Sequence, residues 1–186
     1  MNRRRLLGGA LAAVAGLATG IRSRRKGPVS LRPPGAQLHG GFEERCIRCF
    51  RCAEVCPPKA IRLDGAWSLE ADLPYIEAKE RACVLCMQCT QACPTGALAP
   101  IPADLETVHA AVRMGTPVLT RERCIVWRGA GVRRLCYYVC PYPNEAVALV
   151  GLQLAPFFDP KQCVGCGLCE QACPTVASAI RILPVT

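Results

Sequence analysis

Fifteen cysteines lie in four blocks along the chain, and three of these blocks share one spacing. Each of the three runs Cys-x2-Cys-x2-Cys-x3-Cys-Pro: Cys46, Cys49, Cys52, Cys56 and Pro57; Cys83, Cys86, Cys89, Cys93 and Pro94; Cys163, Cys166, Cys169, Cys173 and Pro174. The other block, third in chain order, has Cys124, Cys136 and Cys140 before a proline, and Arg133 stands where a further cysteine would fall. Runs of this spacing bind iron–sulfur clusters through cysteine thiolates, so the sequence indicates electron transfer.

The spacing also predicts how each block folds. If Cys46 to Cys56 formed one helix, its end thiols would lie about 15 Å apart, too far to share one metal centre. The first three cysteines must therefore wrap one centre in a tight loop, and the fourth points elsewhere. In two-cluster ferredoxins that last cysteine binds the neighbouring cluster. Two successive blocks are therefore expected to fold as one unit with exchanged ligands.

Zinc sites and disulfide bonds are the other common uses of clustered cysteines. Structural zinc sites usually join two short cysteine pairs across a longer gap, which fits three repeated runs poorly. A disulfide scaffold is the more serious alternative for an exported chain. The odd total of 15 cysteines and the repeated spacing count against it.

Exchange of the last cysteine within each pair of blocks assigns the ligands to four sets, one for each cluster. Set one is Cys46, Cys49, Cys52 and Cys93; set two is Cys83, Cys86, Cys89 and Cys56; set three is Cys124, Cys136 and Cys173; set four is Cys163, Cys166, Cys169 and Cys140. We expect 4Fe-4S clusters in sets one, two and four.

Set three has one cysteine fewer, because Arg133 occupies the second position of its block. A guanidinium group stays protonated and has no lone pair to offer a metal. A 3Fe-4S cluster needs only three thiolates, and we favour it here. The alternatives are a 4Fe-4S cluster with water or a side-chain oxygen on one iron, and a block that binds nothing.

The N-terminus resembles an export signal. Arg3 and Arg4 precede an apolar run from Leu6 to Ile21, which indicates a twin-arginine signal over residues 1–26. This route exports proteins that fold and take up cofactors in the cytoplasm, which suits iron–sulfur chemistry. The apolar run of 16 residues is shorter than the ~20 that usually span a bilayer. We expect a periplasmic protein. Its signal is either cleaved or retained as a membrane anchor, and the sequence does not favour one of these outcomes.

The net charge of +9 does not indicate nucleic acid binding. Residues 1–26 hold seven of the 23 basic residues and no acid, which leaves 16 basic and 14 acidic residues for the rest of the chain. Clusters bound by thiolates would add negative charge to that part. The basic segment is better explained by export and by the surface of the inner membrane.

The rest of the chain is expected to be an α+β protein with two tandem dicluster modules like bacterial ferredoxins. Residues 27–41 read as an extended linker or arm rich in Pro and Gly, residues 42–102 as the first module, residues 103–115 as a connecting helix and residues 116–186 as the second module. Short β-like segments precede and follow the blocks. We expect the two segments beside each block to pair as a hairpin, with a turn of helix next to it.

The chain resembles the ferredoxin-type proteins of periplasmic nitrate reductase and methylamine-utilisation gene clusters, the MauM/NapG family. The resemblance rests on the twin arginines, the segment Leu31-Arg32-Pro33-Pro34-Gly35-Ala36, the four cysteine blocks and the stretched third block from Cys124 to Cys136. In that family the third block normally has four cysteines, so Arg133 is a departure. The resemblance implies a periplasmic electron relay. Its partners would be a polytopic membrane iron–sulfur protein that oxidises quinol and a periplasmic oxidoreductase.

Catalysis by this chain alone is not expected. No Walker or dinucleotide-binding glycine motif is present, and His39 and His109 are the two histidines. Two alternatives to the relay remain at this stage. One is an iron–sulfur subunit of a different exported oxidoreductase, such as a molybdenum enzyme or a hydrogenase. The other is an exported binding protein stapled by disulfides, without redox function.

Overall fold

The computed structural model describes residues 30–37, 41–63 and 73–185. The predicted export signal over residues 1–26, with Arg3 and Arg4, lies outside these residues, as does His39. Within the described ranges, no helix has the length and apolar character needed to cross a membrane.

The structure mixes short helices with short strands, as the α+β prediction requires. The helices are α1 (Gly41–Arg45), α2 (Arg51–Glu54), α3 (Gln88–Ala92), α4 (Leu105–Ala111), α5 (Leu135–Tyr138) and α6 (Leu168–Gln171), with a 3-10 turn at Arg121–Arg123. The strands are β1 (Ile61–Arg62), β2 (Tyr75–Ile76), β3 (Gly115–Leu119), β4 (Val147–Val150), β5 (Ala155–Phe158) and β6 (Ile180–Pro184). Elements this short have little stability of their own, so the packing between them must hold the fold together.

The strands form three antiparallel pairs, and their pairing differs from the predicted hairpins. β1 pairs with β2, β4 with β5, and β3 with β6. The strand after one block therefore pairs with the strand before the next block, while β3 and β6 join the two ends of the second module. The strands before and after one block are separated by its whole cysteine loop. By contrast, β4 and β5 are connected by the four residues Gly151–Leu154. That short connection is a common hairpin length.

Residues 30–37 form an arm packed on the first module, which is one of the two forms expected for the segment 27–41. Leu31 bridges to Ile76 and Ala36 bridges to Leu98. The side chains of Pro33 and Pro34 are fully buried. This arm supplies a strand-like edge to the first module that the Pro and Gly content had concealed.

The connecting helix exists and is shorter than the predicted 103–115. Asp104 caps its N-terminus by accepting the backbone N–H of Thr107 at 2.8 Å, as a short acidic side chain at this position commonly does. Val108 and Val112 are fully buried, and Leu105 is exposed. The backbone becomes extended at Val112, so the helix ends before β3 begins.

The two modules share one buried core, and their contact lies between the second and fourth cysteine blocks. The backbone N–H of Cys83 donates to the carbonyl of Cys166 at 3.0 Å, and that of Met114 donates to Val164 at the same distance. Buried apolar residues of both modules belong to the same cluster. The modules are therefore packed side by side through these two blocks.

Candidate iron–sulfur centres

Three of the four cysteine loops have left-handed backbone at the same two positions. These positions are two residues after the first cysteine and one residue after the second: Arg48 (φ 56°) and Phe50 (φ 62°), Leu85 (φ 58°) and Met87 (φ 54°), Gly165 (φ 77°) and Gly167 (φ 84°). The chain turns sharply at each, so the first three cysteines of a block surround one space. For a residue other than glycine this conformation costs roughly 1–2 kcal/mol. Such strain concentrates at functional sites.

The four cysteines of set four line one cavity. Cys140 comes from the third block, and Cys163, Cys166 and Cys169 come from the fourth. The cavity encloses about 350 Å³ including its opening, and apolar side chains such as Val164 form most of the remaining wall. Exchange of the last cysteine between the two blocks of the second module therefore places four thiols around one space.

Set two has the same arrangement in the first module. Cys56 of the first block joins Cys83, Cys86 and Cys89 of the second around a cavity of about 310 Å³. Pro34 of the arm forms part of the wall, so the arm helps to cover this space. The two modules thus repeat one geometry.

Set one lies nearer the surface. Burial, with the neighbouring thiols Cys46 and Cys49 adding to it, raises the pKa of Cys52 to about 11. Cys49 itself is exposed. The helix α2, which contains Cys52, packs against α3, which leads directly into Cys93. Cys46, Cys49 and Cys52 of set one therefore lie close together, and α3, the helix that precedes Cys93, packs beside them.

The three cysteines of set three also approach one another. Burial, with the charges of Cys124 and Cys173 adding to it, raises the pKa of Cys136 to about 11. Arg133 is exposed. Between Cys124 and Cys136, a stretch that the structure describes completely, Gly129 is the one residue with positive φ. The third block therefore does not repeat the loop of the other three.

The inserted residues of this block form a separate turn beside set three. Ala130 donates its N–H to the carbonyl of Ile125 at 2.9 Å, and Val126 is fully buried. The side chain of Arg134 donates to the carbonyls of Gln153 and Leu154, at 2.9 and 2.8 Å. These bonds hold the insertion against the turn between β4 and β5.

Backbone N–H groups point at the cysteine sulfurs. Five such bonds have a nitrogen–sulfur distance of 3.4 Å: Ala60 to Cys56, Leu85 to Cys83, Leu98 to Cys93, Gly165 to Cys163 and Ala179 to Cys173. Burial opposes charge at Cys173, but the side chains of Thr175 and Ser178 and nearby N–H groups lower its pKa to about 7. Hydrogen-bond donors of this kind stabilise a thiolate, the form of cysteine that binds metals.

The donor set fits an iron–sulfur cluster. Burial raises the pKa of Cys83, Cys89 and Cys166 to about 12 each, with neighbouring thiols contributing. Four such thiols can be ionised together in an apolar cavity only around a positively charged centre, whose binding releases their protons. Within the described ranges, no three His, Cys, Asp or Glu side chains converge as they would around a single metal ion. All 15 cysteines are free thiols.

His109 has structural partners in the second module. Its Nε2 lies 2.8 Å from the carbonyl of Gln162, and its ring stacks on Tyr142 with centroids 4.3 Å apart. Its Nδ1 lies 3.3 Å from the Glu145 carboxylate. These contacts tie α4 to the second module.

Two groups of site residues were missed by the sequence analysis, and both have a sequence signal. The left-handed positions of the fourth block are the glycines Gly165 and Gly167. Glycine favours a left-handed backbone, so aligning the blocks would have indicated the same conformation at the equivalent positions of the other loops. The hydroxyl groups near the last cysteines are marked by the repeated Cys-Pro-Thr, which ends at Thr95 and Thr175.

Comparisons with known proteins agree with this geometry. Residues 45–97 match a family described as a 4Fe-4S dicluster domain, and residues 156–177 match a 4Fe-4S binding domain. The chain is 36% identical over 165 residues to the methylamine utilization ferredoxin-type protein MauM of Methylobacillus flagellatus, covering 83% of this chain and 68% of that protein. It is 35% identical over 193 residues to the ferredoxin-type protein NapG of Escherichia coli, covering 96% of this chain and 81% of that protein.

A third relative, MauM of Paracoccus denitrificans, is 34% identical over 190 residues, covering 96% of this chain and 80% of that protein. The cysteine-lined cavities and the matched domains together define an iron–sulfur protein of the ferredoxin type. The chain belongs to the MauM/NapG family of ferredoxin-type proteins. The resemblance inferred from its motifs is thereby confirmed.

Proposed function

We propose that this protein is a periplasmic electron carrier. It accepts electrons from a polytopic membrane iron–sulfur protein that oxidises quinol and passes them to a periplasmic reductase such as nitrate reductase. The observation that supports this best is the pair of cavities, each lined by four cysteines drawn from two blocks. The names of two relatives, a methylamine utilization ferredoxin-type protein and a ferredoxin-type protein, support the electron-transfer part of this proposal.

Sets one, two and four would each hold a 4Fe-4S cluster, and set three a 3Fe-4S cluster. When bound, these groups supply one-electron oxidation and reduction. The protein holds them through cysteine sulfur, excludes water with apolar side chains, and places N–H donors such as that of Leu85 against the sulfurs. The approach of Cys124, Cys136 and Cys173 supports a three-thiolate site, since Arg133 cannot be a ligand.

The proposed periplasmic location rests on the N-terminal sequence and agrees with this chemistry. A chain with four clusters must acquire them before it meets an oxidising compartment, where free thiols form disulfides. The twin arginines Arg3 and Arg4 would direct the folded, loaded protein across the membrane. Retention of the signal would keep the protein close to its membrane partner.

One experiment tests both the clusters and the location. The full chain is expressed with its own N-terminus, and iron and acid-labile sulfide are measured in periplasmic and cytoplasmic fractions. We expect iron and sulfide for four clusters per chain in the periplasm. The variant Arg3→Lys with Arg4→Lys should keep the same iron content and stay in the cytoplasm. Colourless periplasmic protein with paired cysteines would refute the proposal.

A further inference from the structure

Sets two and four meet at the junction between the modules. The N–H of Cys83, a member of set two, donates to the carbonyl of Cys166, a member of set four, at 3.0 Å. These two ligand residues therefore lie close together although 82 residues separate them in the chain.

The side chains of Gln171 and Lys79 form hydrogen bonds across this junction. Gln171 donates to the carbonyl of Glu80 at 3.0 Å and accepts the N–H of Ala82 at 3.3 Å. Lys79 donates to the carbonyl of Cys173 at 2.7 Å. These bonds join the segment before the second block to the helix α6 of the fourth.

The junction is also sterically close. A Cβ added at Gly167 would lie 2.5 Å from the Cβ of Ala78. That distance is shorter than carbon atoms tolerate, so only glycine allows the two loops to approach this far. The close approach of the two modules therefore depends on a glycine at position 167.

Inside each module, the paired sets meet through their helices. α2 packs against α3, and α5 packs against α6. α2 contains Cys52 of set one and α3 contains Cys89 of set two, while α5 contains Cys136 of set three and α6 contains Cys169 of set four. Sets one and two are therefore neighbours, as are sets three and four.

We propose that electrons travel through the sets in the order one, two, four, three, crossing between the modules from Cys83 to Cys166. This order rests on the proposed function and deepens it. Each step oxidises one cluster and reduces the next by one electron, with no bond made or broken. Electron tunnelling falls steeply with distance, so the module junction decides the route. Redox proteins, as donor and acceptor, would exchange electrons with the outer sets, one and three.

Two matched triple variants test the order by electron paramagnetic resonance of the dithionite-reduced holoprotein. Cys49→Ala and Cys52→Ala, combined with Cys136→Ala, leave only two thiols in sets one and three, so sets two and four alone stay loaded. Cys86→Ala and Cys89→Ala, combined with Cys136→Ala, leave sets one and four loaded, and Cys86 and Cys89 hold the same positions in their block as Cys49 and Cys52. We expect split, fast-relaxing signals from the first variant. The second should give two simple signals that saturate at several-fold lower microwave power.

Equal relaxation in the two variants, each with iron for two clusters, would overturn the order and leave the proposed function intact. Absence of clusters from the unsubstituted protein would instead remove the function and the order together. A second measurement needs no substitution. Because the Cys83 amide is bonded across the junction, its hydrogen exchange in the holoprotein should be slow; complete exchange at the shortest labelling time would contradict the junction.

Discussion

Arg133 determines the chemistry of the third cysteine block. It stands at the position where the other blocks have their second cysteine, and its side chain is exposed. The three remaining thiols of set three still approach one another. A single residue thus separates a three-thiolate site from a four-thiolate site.

Restoring the missing thiol should convert this centre. In Arg133→Cys we expect one additional iron per chain and loss of the three-iron signal from the electron paramagnetic resonance spectrum of the oxidised protein. The reason is that a fourth thiolate lets the cluster keep its fourth iron. Arg133→Ala, which removes the guanidinium without adding a thiol, is the control and should keep the three-iron signal. If the unsubstituted protein gives no such signal, the proposed 3Fe-4S centre is wrong.

The left-handed residues of the first two cysteine loops carry a conformational cost that something else must offset. Arg48, Phe50, Leu85 and Met87 adopt a conformation that costs roughly 1–2 kcal/mol each. No local feature of these side chains favours it. Cluster binding is the term large enough to offset that cost, since metal ligation contributes directly to folding free energy in small domains.

The arm of residues 30–37 stabilises the first module through backbone contact. Gly35 has φ +76°, and a Cβ there would lie 2.6 Å from the carbonyl oxygen of Ala99. The N–H of Ala99 in turn donates to the carbonyl of Gly35 at 2.8 Å. The arm can make this bond only because no side chain is present at position 35.

Gly35→Ala should therefore weaken the first module. We expect a loss of about 2–4 kcal/mol in the free energy of unfolding, from the left-handed backbone and the overpacking together. The midpoint of guanidinium-induced cluster bleaching measures it. Gly129→Ala is the matched control: Gly129 has φ +69° with nothing near its Cβ position, so the loss should stay at about 1–2 kcal/mol. Equal midpoints for the two variants would show that the arm does not pack as described.

The sequence predicted the features that cysteine spacing controls, and it failed where distant segments meet. The expected turn of helix at each block is present, as α2, α3, α5 and α6. The sequence predicted the wrong strand pairs, because a short apolar segment does not specify its partner. The sequence could not decide between a linker and an arm for residues 27–41, because the burial of Pro33 and Pro34 depends on a surface formed elsewhere in the chain. No local pattern reveals that Cys83 faces Cys166.

The shared core contains many of the ligands themselves. Six buried members of the main core are cysteines: Cys56, Cys83, Cys89, Cys163, Cys166 and Cys169. Small buried side chains such as Ala60 and Ala97 belong to the same core, and strand residues such as Ile61 and Phe158 line the cavities of sets two and four. Without clusters in these cavities, the core of both modules would lose the bound groups that its cysteines surround.

Removing iron and sulfide under anaerobic reducing conditions should therefore unfold both modules together. Domains are typically stable by only 5–15 kcal/mol, and the empty cavities and the four strained non-glycine residues of the first two cysteine loops would remain uncompensated. We expect no cooperative thermal transition by circular dichroism and fast hydrogen exchange across β3 and β6. Reconstitution with iron and sulfide is the control and should restore slow exchange. A stripped protein that still melts cooperatively, with β3 and β6 protected, would show that the polypeptide folds without its clusters.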